Sequence, residues 1–149
     1  MFAACKYEDG PLFSIRSKHD RLNGSWKFKE VLVDGIDSTA AYQQRFPIID
    51  FISNQELWSA YQMDVQMEFV INQITHDNII ALCYFNKNKT FLHVGYANGT
   101  TNPNSMGFIG SVGDQVWEIL KLTNVNLWFK INTNDRVYML KLKSTNKKF

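Results

Sequence analysis

Hydrophobic and polar residues alternate in short runs along most of this chain, and the period is close to two. In Ser25–Val33, Trp26, Phe28 and Leu32 fall on one face of an extended segment, which predicts a first strand over 25–33. Asp34-Gly35 marks a turn. A short helix follows, capped by Asp37 or Ser38 and running to about Arg45, and Pro47 discourages its continuation. Ile48–Trp58 reads as a short strand plus a loop. Tyr61–Ile71 is the clearest strand: Tyr61, Met63, Val65, Met67, Phe69 and Ile71 face one way, and Gln62, Asp64, Gln66, Glu68 and Val70 face the other. Such alternation predicts a sheet that is wet on one side.

Ile79–Phe85 and Thr90–Tyr96 are joined by the polar link Asn86-Lys87-Asn88-Lys89, which has hairpin length. Ala97–Ser105 reads as a loop at one mouth of the fold, and Met106–Val112 as a strand bent at Gly107 and Gly110. Val116–Leu122, Asn126–Ile131 and Arg136–Lys143 complete a meander of tight hairpins. Turns recurring every ~8–12 residues point to a β-sandwich or a barrel. The absence of long crossovers favours the barrel. The expected fold is all-β: an antiparallel up-and-down β-barrel of about eight strands, with one short helix after the first strand. Residues 1–19 read as a tether and residues 20–149 as the barrel.

Composition narrows the classes of function. The 149 residues suit one domain, and 45% hydrophobic content supports a sizeable core. A net charge of +2, with a local excess only at Lys141, Lys143, Lys147 and Lys148, argues against nucleic acid as a partner. No apolar run approaches the ~20 residues of a spanning helix. Cys5 lies in the polar N-terminal segment, whereas Cys83 sits in an apolar strand, where a cysteine behaves as a small core or wall residue. Met-Phe-Ala-Ala before Cys5 resembles what remains at a lipoprotein cleavage point, although the charged and apolar regions of a signal are missing. The alternative is an ordinary N-terminal cysteine in a cytoplasmic protein.

Gly24-Ser25-Trp26 on the first strand matches the Gly-x-Trp signature of lipocalins. In that fold the tryptophan packs at the closed end of the barrel against a basic residue from the end of the last strand, a part open here to Lys141 or Lys143. A closer resemblance, by three segments in order, is to the lipocalin-like lipoproteins of Bacteroidota-type bacteria, a calycin-like group. The first segment runs Cys5–Pro11, Ser14–Lys18 and Arg21–Trp26, the second is Val33–Thr39, and the third is Trp117–Thr123 with Leu127–Lys130. The resemblance implies a lipid-modified Cys5, anchorage in the outer membrane on its periplasmic face or at the cell surface, and a non-catalytic role.

Candidate chemistry is sparse. His19, His76 and His93 share no metal spacing, and no nucleophile elbow, phosphate loop or zinc motif is present. No cofactor or metal is expected. Glu30 shares the period-two face of Trp26 and Phe28, so it is either a polar anchor inside the barrel or displaced from that face by a bulge or the rim. The Met63, Val65, Met67 and Phe69 stripe is either barrel filling or the lining of a pocket. Trp128 alternates away from Leu127, Phe129 and Ile131, which places it on the outside, against a partner or the short helix. The leading expectation is a cell-envelope lipoprotein binding a small hydrophobic ligand through Phe28, Glu30, Met63, Val65, Met67 and Phe69. The alternative is a filled barrel acting as a structural or protein-interaction module of an envelope complex.

Overall fold

A computed structural model describes residues 18–53, 66–72, 79–96, 106–109 and 114–145. Cys5, Met63 and Val65 lie outside the described residues, as does most of the expected tether. The described elements are α1 (Lys18–Leu22), β1 (Gly24–Val33), β2 (Ile36–Asp37), α2 (Thr39–Arg45), β3 (Ile48–Ser53), β4 (Gln66–Asn72), β5 (Ile79–Phe85), β6 (Phe91–Tyr96), β7 (Asp114–Leu122), β8 (Asn126–Asn132) and β9 (Val137–Ser144). Strands β3 to β9 pair in sequence order, all antiparallel, and β1 pairs with both β3 and β9. The result is a closed eight-strand barrel with the short β2 added at one rim.

Closure depends on how β1 fills both of its hydrogen-bonding edges. One edge runs along β9 from Trp26 opposite Ser144 to Val33 opposite Tyr138. The other edge meets β3 only over Gly24–Trp26 and β2 only at Leu32 and Val33. Helix α2 serves the gap between them. Gln43 Nε2 donates to the Phe28 carbonyl at 2.9 Å, the Val31 amide donates to Thr39 Oγ1 at 3.0 Å, and the Ser38 amide donates to the Val31 carbonyl at 2.8 Å. An unpaired buried backbone group costs about 1–3 kcal/mol, so α2 does work on this edge that a strand would otherwise do.

The β1–β9 register shifts between Phe28 and Glu30, leaving Lys29 as the extra residue of a bulge. The bulge changes which residues face inward. Trp26 and Phe28 are buried, but beyond the bulge the inward residues are Val31 and Val33. The expected shared face of Trp26, Phe28, Glu30 and Leu32 therefore holds only for its first half. Glu30 is displaced outward, where its carboxylate pairs with Lys141 Nζ at 3.3 Å.

The core follows the alternation elsewhere. Ile79, Ala81, Cys83 and Phe85 point inward on β5, as do Leu127, Phe129 and Ile131 on β8 and Tyr138, Leu140 and Leu142 on β9. Cys83 is buried with a free thiol, and burial pushes that thiol upward. On β4, Ile71 is fully buried and pairs with Ile49 and Ile79. Met67 and Phe69 are four and two residues back along the same strand, opposite Cys83 and Ala81.

At one end of the barrel, α1 lies across the strand ends. Trp26 Nε1 donates to the Leu22 carbonyl at 2.8 Å, Arg21 Nη1 to the Leu122 carbonyl at 3.0 Å, and Lys18 Nζ to the Lys89 carbonyl at 2.9 Å. Leu22 and Trp26 are fully buried beneath these contacts. Gly24 adopts φ +132°, a conformation that side chains disfavour, and this accounts for the glycine two residues before the tryptophan. The buried basic residues at this end are Lys18 and Arg21 of α1. Lys141 and Lys143 do not fill the part offered to them: Lys141 is held outside by Glu30, and Lys143 is exposed.

Candidate functional site

The opposite end carries α2, the β1–β2 turn, the β8–β9 turn and the segment Met106–Ile109. Met106–Ile109 is a tight turn, bridged between Met106 and Ile109, and not the start of a bent strand. Phe108 and Ile109 are fully buried. Phe108 stacks on Tyr42 at 5.6 Å between ring centroids and meets Trp117 edge-on at 5.6 Å and Tyr138 at 5.1 Å. Trp117 in turn packs on Phe129, and Phe28 meets Tyr42 edge-on. Each such pair adds about 0.5–1.5 kcal/mol beyond its burial. Gln115 pins the turn, donating to the Phe108 carbonyl while accepting from Trp117 Nε1, both at 2.9 Å.

Above this cluster is a cleft of about 470 Å³, lined by Val33, Ile36, Ser38, Ala41, Tyr42, Met106, Gly107, Arg136 and Tyr138. Its polar groups come from three elements. Tyr42 is on the inward side of α2, because the helix presents Tyr42 and Phe46 four residues apart to the core. Tyr138 is an inward position at the start of β9. Arg136 is exposed in the turn before β9.

Gly107 is where the two phenols converge. A Cβ there would lie 2.5 Å from Tyr42 Oη and 2.9 Å from Tyr138 Oη, and the backbone has φ +58°. The backbone thus approaches both hydroxyls as closely as a glycine allows. Neither hydroxyl has a hydrogen-bond partner among the described residues.

Both phenols are held neutral. Burial, then the neighbouring Tyr138, pushes Tyr42 up to about 12, against the opposing charges of Arg136 and Arg45. Tyr138 is also raised, chiefly by burial, with Arg136 opposing and Asp34 and Asp135 reinforcing the shift. Near neutral pH, the cleft therefore offers two O–H donors and one guanidinium beside apolar walls. Ile36, 70% exposed at the rim, adds apolar surface with no cover.

Of the residues expected to bind a ligand, Phe28 is in the core against Tyr42. Glu30 is outside the barrel with Lys141. Met67 and Phe69 are placed by backbone register on β4, and Met63 and Val65 lie outside the described residues. Trp128 is on the outer side, with Lys121 Nζ at 4.4 Å and Lys141 Nζ at 4.9 Å from its ring centre. The sequence reading missed Tyr42, Tyr138 and Arg136 because nothing in their spacing links them. Gly107, expected to bend a strand, instead sits in the Met106–Ile109 turn. Among the described residues, no group of three or more His, Cys, Asp or Glu side chains is placed to hold a metal.

The chain matches no family model, no curated protein and no solved structure. The closed antiparallel barrel is consistent with a calycin-like fold.

The raised Tyr42 pKa has a measurable consequence. Its folded value exceeds its unfolded value of 10.0, so its contribution to stability is complete below pH 10 and is lost as pH rises through about 12. Cys83 acts in the same direction from its unfolded value of 9.0 upward. Melting temperature measured across this window should fall less steeply in Tyr42→Phe than in the parent. Equal slopes would show that Tyr42 is not held neutral by its site.

Proposed function

We propose that this protein is a non-catalytic, lipocalin-like binding protein that takes a small amphipathic molecule in the cleft beside α2. The observation that carries this reading is the pair of phenol hydroxyls over Gly107, which have no hydrogen-bond partner among the described residues and lie beside exposed Ile36 and Ala41. Small-molecule sites typically combine a mostly apolar lining with a few converging polar groups in about 300–1,000 Å³. A cleft of about 470 Å³ falls in that range. Because Phe108 and Trp117 are buried and packed edge-on at this end, the ligand rests on the aromatic cluster at the rim.

The cellular setting belongs to the same proposal and rests on the sequence. Cys5 after Phe-Ala-Ala, and the ordered resemblance to lipocalin-like lipoproteins, support a lipid anchor in the outer membrane. Firm anchorage of this kind takes more than one acyl chain.

A second reading, a protein-interaction module, draws on the outer face of β5. Ile80, Leu82 and Tyr84 are its successive outward residues and are all exposed, with Val116 exposed two strands away. Contiguous apolar surface of this sort marks interaction sites.

Ala41 separates the two readings, because it lines the cleft but is exposed on α2. Binding of a fluorescent amphipath, followed by titration, should weaken roughly tenfold or more in Ala41→Trp, equivalent to about 1.4 kcal/mol. Circular dichroism of the variant should match the parent. Unchanged binding would remove the cleft from consideration and leave the β5 face as the better candidate. For the anchor, cells fed a labelled fatty acid should incorporate label into the parent chain and not into Cys5→Ser. Equal labelling, or none in either, would refute lipidation at Cys5.

A further inference from the structure

We infer that the ligand of the α2 cleft carries a single negative charge on a carboxylate-type head, read by Arg136 together with the hydroxyls of Tyr42 and Tyr138. The inference rests on the cleft being a binding site, as proposed above, and it specifies the chemistry of the occupant. Two phenols and one guanidinium line one volume, and no charged acceptor is among the lining residues to balance them. The phenols are held in the protonated form, so they donate hydrogen bonds near neutral pH. Arg136 has no carboxylate within ion-pair distance among the described residues. A guanidinium is the side chain best suited to a planar carboxylate, which accepts two parallel hydrogen bonds.

Charge limits the head group further. Asp34 and Asp135 are close enough to Tyr138 to raise its pKa, so the Arg136 charge is partly offset on that side. Arg45 contributes on the Tyr42 side, but its guanidinium is over the Phe46 ring at 5.4 Å. One uncommitted guanidinium against two nearby carboxylates suits a singly charged head better than a doubly charged phosphate monoester. The apolar tail has Val33, Ile36, Ala41 and Met106 to lie against. A cleft of about 470 Å³ accommodates a short aliphatic or aryl chain more readily than a long lipid.

The test is a calorimetric comparison of decanoate with decanol, both below their aggregation limits, on the full chain and on Arg136→Gln, Tyr42→Phe and Ala41→Trp. Charge-assisted hydrogen bonds are stronger than neutral ones, so decanoate should bind roughly tenfold or more tightly than decanol. Arg136→Gln should remove most of that preference, and Tyr42→Phe, which keeps the ring, should remove part of it. Decanol bound as tightly as decanoate, with both lost in Ala41→Trp, would overturn the anionic head while leaving the cleft as the site. Binding of neither probe, or binding of both that Ala41→Trp does not affect, would overturn the cleft and the head group together. A preference for decanoate that survives Arg136→Gln would overturn the role given to Arg136.

Discussion

The structure depends on the hydrogen bonding of one strand. An antiparallel sheet becomes a barrel only when its first strand is paired on both edges, because an open edge leaves a row of unpaired amides and carbonyls. Here β1 meets β9 along one edge and is shared on the other among β3, α2 and β2. The bulge at Lys29 allows the strand to change partners without losing its inward side chains. Helix α2 is thus part of the closure and not an ornament on the rim. Asp37 accepts from both the amide and the hydroxyl of Thr39, and those bonds hold its carboxyl below the ordinary range. The same threonine accepts from Val31, so the start of the helix is locked to the strand.

That closure also shapes the end of the barrel where the proposed site lies. Docking α2 on β1 brings Tyr42 over the barrel end, where it stacks on Phe108. The buried Phe108, Trp117 and Phe129 then occupy the space beneath. Close-packed aromatic rings leave little void and resist rearrangement. Among the described residues at this end, the rim is accessible, and there two hydroxyls and a guanidinium sit beside exposed Ile36 and Ala41. With the function proposed above, the barrel serves as the support for a site on its edge. Fold and function are separable, and a closed barrel does not by itself put a binding site at its centre.

Much of the architecture was legible in the alternation of residues. The antiparallel order, the hairpin links, the helix after the first strand and the inward sides of β5, β8 and β9 all follow from period-two patterning and turn residues. The failures have a common cause. A bulge adds one residue and reverses the inside and outside assignment beyond it, so Glu30 and Leu32 changed faces with Val31 and Val33. Helix α1 is too short to show a periodic signal, and beside Leu22 its buried residues are Lys18 and Arg21, which composition marks as surface residues. The candidate site was not legible because Tyr42, Gly107, Arg136 and Tyr138 come from distant segments. Only the tertiary approach of α2, the 106–109 turn and β9 brings them together.

The central claim is that binding happens at the rim beside α2. The most direct measurement is the pattern of backbone amide chemical-shift changes when decanoate is titrated into isotopically labelled protein. The account predicts that the largest changes fall within Val33–Tyr42, Met106–Ile109 and Arg136–Tyr138. Changes concentrated instead on the inward positions Cys83, Leu92 and Val94 would place the ligand inside the barrel and contradict it.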